Sequence, residues 1–175
     1  MDIKDAIQLI THPEFSTQSK KVWIDLGCGT GTFTLALASI LEEESTIYAF
    51  DLNGSALKQI PFTYKKVNIE KLVIDFISTD LPIHQINGVL MANSLNYVKD
   101  KEGFLKNLKS HLTKDACFLI TEYDSDASNT WVPYPINFQS LKELFSKSGY
   151  KNITKLNSRP SVYGNRQMYA ALIEP

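Results

Sequence analysis

The chain is poor in the residues that build metal sites and disulfide frameworks. It has two cysteines and three histidines in 175 residues. Neither Cys28 nor Cys117 belongs to a C-x-x-C pair, and no H-E-x-x-H occurs, which argues against a structural zinc site or a disulfide-stapled fold. Both cysteines are expected to be small buried residues on or beside strands. Charge of one sign is also missing. Lys plus Arg is 18 and Asp plus Glu is 19, a net charge of -1, so there is no broad positive field for nucleic acid and no acidic tail. No apolar run approaches the roughly 20 residues that span a bilayer. The opening MDIKDAIQLITHPEF mixes charged with apolar residues, unlike the basic flank and unbroken apolar stretch of a secretory signal. These absences point to a cytoplasmic chain that works without metal, membrane or nucleic acid.

What is present is an ordinary globular composition, 43% hydrophobic and 21% charged. A chain this long buries roughly two thirds of the surface that its unfolded form exposes, enough for a full core. At roughly 100–200 residues per domain, one domain over 1–175 is expected, with 1–20 as an N-terminal helix and lead-in.

Hydrophobic periodicity predicts the elements. Ile3, Ile7 and Ile10 recur at helical spacing, and His12-Pro13 ends that helix. VWIDLG at 22–27 reads as a buried strand stopping at glycine. A helix over 32–41 follows, then a strand at 46–51 and a short helix at 55–60 before Pro61. A third strand lies within 67–76, a fourth at 88–93 and a fifth at 116–123, with an amphipathic helix over 100–112 between the last two. Residues 124–137 read as a long loop, 138–148 as a helix, and 152–157 with 167–173 as a closing hairpin. Alternating strands and helices demand a mostly parallel sheet covered on both faces. The last two strands have no helix between them and pair antiparallel. The expected fold is therefore α/β, a seven-stranded mostly parallel sheet with an antiparallel C-terminal pair.

In such a sheet, ligands sit beyond the carboxyl ends of the strands, at the switch point. The first strand delivers Asp25-Leu26-Gly27-Cys28-Gly29-Thr30-Gly31 there, the second Asp51, the third Asp75-Phe76, the fourth Asn93-Ser94-Leu95-Asn96, and the fifth Glu122-Tyr123-Asp124. Three glycines at alternate positions let the backbone approach a ligand and turn into a helix. A dinucleotide loop wants G-x-G-x-x-G, and its third glycine would fall at Thr32. The G-K-[ST] of a P-loop is absent. Asp25 would repel a pyrophosphate and suits a ligand that carries a cation. Asp51, twenty residues past Gly31, can accept from both hydroxyls of a ribose. The plainer alternatives are a Gly-rich turn, and for Asp51 a turn cap before Asn53-Gly54.

These residues resemble the class I S-adenosylmethionine-dependent methyltransferases, whose domain is Rossmann-like. VWIDLGCGTGTFTLALA looks like their first motif and AFDLN like their second. IDF, LMANSLNYVKD, EYD and WVPYP look like a small bacterial branch of that family. The resemblance implies a methyltransferase that uses S-adenosylmethionine, releases S-adenosylhomocysteine and moves the methyl group by in-line displacement. It further implies roles. Asp25 and the backbone of Gly27, Cys28, Gly29, Thr30 and Gly31 receive the methionine part. Asp51 holds the ribose hydroxyls, and Leu52 packs on the adenine. Asp75 accepts from the adenine amino group beside Phe76, with Asp80 as its competitor. Asn93 and Ser94 flank the methionyl part.

Departures from the family pattern bear on the acceptor. Many relatives carry His where this chain has Asn96, and Asp where it has Asn87. NSLN replaces the D/N-P-P-Y that goes with amino-group methylation of adenine or glutamine. A small-molecule acceptor is expected, with no nucleic acid, handled by a monomer or homodimer. Its pocket would be lined by the N-terminal helix, 93–97, 123–124, the 131–135 loop and the 159–165 hairpin tip, with Trp131, Tyr134 and Tyr163 as an apolar wall. Asn96, Tyr123 and Asp124 are the candidate catalytic groups, Arg159 a candidate carboxylate holder, and His12 the one histidine placed to reach the cofactor side. The other reading is a non-catalytic S-adenosylmethionine-binding or interaction protein on the same fold. A nicotinamide oxidoreductase is disfavoured by the G-x-G-x-G spacing and the closing hairpin.

Overall fold

The computed structural model describes residues 1–13, 19–161 and 166–175. Among these, eight strands form one sheet: β1 (Val22–Leu26), β2 (Thr46–Asp51), β3 (Thr63–Tyr64), β4 (Val67–Val73), β5 (Ile86–Ala92), β6 (Leu112–Tyr123), β7 (Asn152–Pro160) and β8 (Gln167–Glu174). The helices are α1 (Ile3–Ile10), α2 (Thr32–Ala38), α3 (Gly54–Leu57), α4 (Lys101–Leu108) and α5 (Phe138–Lys147). The strand order is β3-β4-β2-β1-β5-β6-β8-β7. The five strands from β4 to β6 run parallel, and β8 is antiparallel to both β6 and β7. The expected architecture is present, with one strand more than expected. The addition is β3, which turns into β4 through Lys65 and Lys66, both with positive φ (51° and 61°). That is the geometry of a two-residue hairpin turn that Asn-Gly usually marks, so two lysines hid it from the sequence reading.

Alternation along the strands sends successive side chains to opposite faces. Ile24, Leu26, Met91, Phe118 and Ile120 join one core with Leu105 and Leu108 of α4 and Leu141 and Phe145 of α5. Trp23, Leu90, Leu119 and Leu172 face the other way, onto Leu9 and Ile10 of α1 and Phe33 and Leu37 of α2. Gly88 is required beside Trp23, because a Cβ there would lie 2.4 Å from the indole. Caps fix the helix starts: Asp100 Oδ1 accepts from Gly103 N at 2.9 Å, and Asn137 Oδ1 from Ser140 N at 2.8 Å. Asn87 has a structural job, its Oδ1 accepting from Val22 N at 2.9 Å at the foot of β1.

Element limits shift where end turns tighten. The helix expected over 100–112 is α4 followed by a short 3-10 turn at Lys109–His111, and β6 begins at Leu112. A register irregularity between Ile86 and Gly88 accommodates that longer strand. α1 is fastened to β7 by Asn157 Nδ2, which donates to the carbonyls of Gln8, Leu9 and Thr11 at 3.1, 3.1 and 2.9 Å. No helix among the described residues is long and apolar enough to cross a membrane.

Candidate functional site

The strand order reverses at β1, with β2 on one side and β5 on the other. The crevice at this switch point is bounded by the 27–31 loop and the 93–96 segment. Gly27, Gly29 and Gly31 all have positive φ, at 79°, 56° and 86°. A Cβ on Gly27 would lie 2.7 Å from Ser94 Cβ, and one on Gly31 2.7 Å from Ile60 Cγ1. At Gly29 it would meet nothing within 4 Å, so the middle glycine faces the open crevice.

Most of the loop's amides are engaged within the protein. Gly27 N and Cys28 N donate to Phe50 O at 2.8 and 3.0 Å, Gly31 N to Cys28 O at 3.0 Å, and Gly29 N to Asp51 Oδ2 at 2.8 Å. The loop is therefore poor in donors for a pyrophosphate. Asp51 Oδ1 accepts from Asn53 N at 2.7 Å. Each carboxylate oxygen takes about two hydrogen bonds, so both retain acceptor capacity.

Asp25 is fully buried at the end of β1. Thr34 Oγ1 donates to its Oδ2 at 2.6 Å, while Oδ1 has no partner. Burial pushes this carboxyl up to about 7; the Thr34 hydrogen bond opposes the rise and the Asp51 charge adds to it. Asp25 and Gly29 line a cavity of about 260 Å³ with Met1 and Asn93. Met1 reaches this cavity because α1 packs on α2. The two cysteines are free and half-buried rather than fully buried. Burial, and then the Asp25 and Asp51 charges, push the Cys28 thiol far above its ordinary range; burial pushes Cys117 up to about 11. Neither is an activated nucleophile.

Leu52 is 67% exposed at the crevice end of β2. Phe76 stands against the loop, its Cε1 3.3 Å from where a Gly27 Cβ would lie. Asp75 caps its own turn: Oδ1 accepts from Ile77 N at 3.1 Å and Oδ2 from Ser78 Oγ at 2.6 Å. The Ser78 hydroxyl and then the Ile77 amide hold its carboxyl below the usual range. Asp80 is engaged elsewhere, on His111 Nε2 at 3.0 Å, and His84 stacks on that same ring.

Asn93 connects two cavities. It has a left-handed backbone (φ 55°), its N–H donates to Thr121 O at 2.8 Å, and its buried Oδ1 has no partner. The Ser94 hydroxyl is also buried without a partner. Asn93 lines the glycine-loop cavity and also a larger one of about 740 Å³, with Asn96, Tyr97, Tyr123, Trp131 and Arg166.

Within the larger cavity the expectations divide. Asn96 and Tyr123 line it, as does Trp131, 80% exposed at the rim. Asp124 is placed elsewhere: Oδ1 accepts from Phe138 N at 2.9 Å and Oδ2 from Lys155 Nζ at 2.8 Å, fastening α5 and β7. Tyr134 lies over Lys101, whose Nζ is 5.8 Å from the ring centroid. Arg159 pairs with Asp5 at 2.9 Å and ties α1 to β7. His12 follows α1 and is not among the lining residues of either cavity. Tyr163 lies outside the described residues.

Two residues without an expected role stand out. Arg166 lines the cavity in place of Arg159. Glu122, 1% exposed, lies behind Asn96 and takes hydrogen bonds from Asn96 N at 3.0 Å and Asn96 Nδ2 at 3.3 and 3.1 Å. Burial pushes its carboxyl up to about 7 against those bonds and the Lys101 charge. Among the described residues, no group of three or more His, Cys, Asp or Glu could hold a metal ion.

Solved structures share this fold. An S-adenosylmethionine-dependent methyltransferase from Methanosarcina mazei superposes with a TM-score of 0.67 at 16% identity, covering 90% of this chain and 93% of its own. One from Aquifex aeolicus has a TM-score of 0.63 at 16% identity and covers 98% of each chain. The N-terminal domain of EvdMO1, solved with S-adenosylhomocysteine bound, has a TM-score of 0.66 at 17% identity and covers 88% of this chain and 74% of its own. At these identities the likeness is one of fold. The family model described as a methyltransferase domain matches residues 17–166, most of the sequence, and the chain belongs to that family, the class I S-adenosylmethionine-dependent methyltransferases.

Proposed function

We propose that the chain, acting as one domain, methylates a small molecule held in the larger cavity, with S-adenosylmethionine in the glycine-loop crevice. The observation that carries this is the shared wall: Asn93 lines both cavities, so two ligands can meet there.

The crevice fits this cofactor by its chemistry. Asp25 presents one buried, unpartnered carboxylate oxygen, the complement of an ammonium group. Four loop amides are already engaged, which suits a cationic ligand better than a pyrophosphate. Asp51 retains acceptor capacity for ribose hydroxyls, and exposed Leu52 offers an apolar face to a purine. Asn93 Oδ1 and Ser94 Oγ are two more buried groups awaiting partners. Phe76 closes the crevice beside Gly27. Asp75 spends two hydrogen bonds on its own turn, leaving remaining lone pairs for an adenine amino group.

S-adenosylmethionine supplies an activated methyl group with a neutral leaving group, displaced in line. The chain's own contribution is positional. It must hold the acceptor atom about 3–3.5 Å from the methyl and exclude water. Tyr97, Tyr123 and Trp131 give an aromatic surround, and Asn96 gives a neutral hydrogen-bond acceptor. The near-even charge supports a small acceptor over nucleic acid.

Thermal denaturation with S-adenosylhomocysteine and, separately, NAD tests the reading. S-adenosylhomocysteine is expected to raise Tm and NAD to leave it unchanged. Stabilisation by NAD alone would contradict it.

A further inference from the structure

The larger cavity carries two chemical demands that a methyl acceptor in general would not have to meet. The first is at Asn96. The side-chain Nδ2 and the backbone N–H both donate to the Glu122 carboxylate. The amide is thereby oriented, and its Oδ1, in a residue 1% exposed, is left without a partner at the cavity wall. A buried carbonyl oxygen in this position calls for a donor from the ligand, because leaving it unmade costs desolvation. Asn129 does not compete for that donor, since its Oδ1 already accepts from Trp131 N and Val132 N at 2.8 and 2.9 Å.

The second demand is at Arg166. This cationic side chain lines the same cavity. Among the described residues it takes part in none of the ion pairs. Glu122 is committed to Asn96, and Asp124 to Lys155. One guanidinium with no lysine in the lining balances one negative charge, which favours a carboxylate over a doubly charged phosphate monoester.

We propose that the acceptor is a small aromatic or planar carboxylate bearing a hydroxyl or amino group: Arg166 pairs with the carboxylate, Asn96 Oδ1 accepts from the O–H or N–H, and Glu122 is the positioning residue that holds the Asn96 amide. This rests on the reading of the larger cavity as the acceptor site. In the transfer the acceptor's O–C or N–C bond forms as the S–CH3 bond breaks, the sulfur keeps that bond's electron pair, and the acceptor's proton is released to water. Tyr97, Tyr123 and Trp131 supply faces on which a planar ring stacks.

The probes are ortho-, meta- and para-hydroxybenzoate, their methyl esters and the corresponding methoxybenzoates, titrated calorimetrically into the full chain. At least one hydroxy acid is expected to bind about tenfold more tightly than its ester, one charge-assisted pair's worth. Arg166→Gln should erase that difference. Glu122→Gln should keep it and erase the preference for hydroxyl over methoxy, a split that mere loosening of the fold would not produce; a thermal melt shows that the variant is folded. Equal binding of acids and esters, or no acid bound at millimolar concentration, overturns the proposal. S-adenosylhomocysteine titrated into the same samples keeps the two readings apart. Retained binding without acid preference overturns this inference alone; absent binding in the wild type overturns the reading beneath it.

Discussion

The backbone N–H of Gly29 donates to Oδ2 of Asp51 at 2.8 Å. Two sequence motifs 22 residues apart are thus one structural unit, in which the ribose-binding candidate also holds the middle of the glycine loop. Asp51→Ala should therefore act on the unliganded protein. Amide hydrogen exchange at Gly29 is expected to accelerate by about tenfold or more, with exchange in β5 and β6 unchanged. Unchanged exchange at Gly29 would show that the loop holds itself.

The three glycines should not be equivalent. Gly27→Ala forces a Cβ to within 2.7 Å of Ser94 Cβ at a φ of 79°, and Gly31→Ala does the same against Ile60. Each is expected to cost about 2–4 kcal/mol and lower Tm by roughly 5–15 °C. Gly29→Ala meets no neighbour and should cost only about 1 kcal/mol from its left-handed backbone. Equal melting temperatures across the three variants would refute this division.

Asp25 and Glu122 give the unliganded protein a pH dependence of definite sign. Their carboxyls are raised from ordinary values of 3.8 and 4.5 to about 7. Between those values and about 7 the folded chain keeps protons that the unfolded chain has released. Their contribution to stability is full below the ordinary values and is lost as pH rises through about 7. Tm without ligand should fall from pH 5 to pH 8, and Asp25→Asn or Glu122→Gln should each flatten the fall by on the order of 1–3 kcal/mol. A Tm that rises over this range would contradict the assignment.

Asp25→Asn should also separate stability from binding. At pH 8 it removes a buried charge and is expected to raise Tm by a few degrees in the absence of ligand. The same change removes the partner for an ammonium group, and S-adenosylhomocysteine affinity should drop by about tenfold or more. Loss of both together would mean that Asp25 serves the fold alone.

Much of this was legible in the sequence, and the exceptions have local causes. The glycine loop, Asp25 and Asp51 were readable because their spacing is set by a strand, a turn and a helix adjacent in the chain. The third to fifth strand ends were readable as positions, but not as side-chain roles. Asp75 and Asp124 are both carboxylates at strand ends, yet each is occupied by its own neighbours. Glu122 precedes Tyr123 by one residue, and only the register of β6 decides which of the two reaches the cavity lining. Arg159 lies in β7 and Arg166 directly precedes β8, its antiparallel partner, and composition cannot tell which of the two arginines turns inward. β3 was hidden because Lys65-Lys66 adopts a turn for which the residues give no signal.

On the proposed reading, the crevice formed by the glycine loop, Asp25 and Asp51 holds S-adenosylmethionine. Calorimetric titration of S-adenosylmethionine and S-adenosylhomocysteine into the wild type and Asp51→Ala tests it most directly. Micromolar binding to the wild type is expected, with a loss of about 100-fold or more in the variant, two charge-assisted hydrogen bonds' worth. Equal affinity in wild type and variant, or no binding to the wild type, would contradict it.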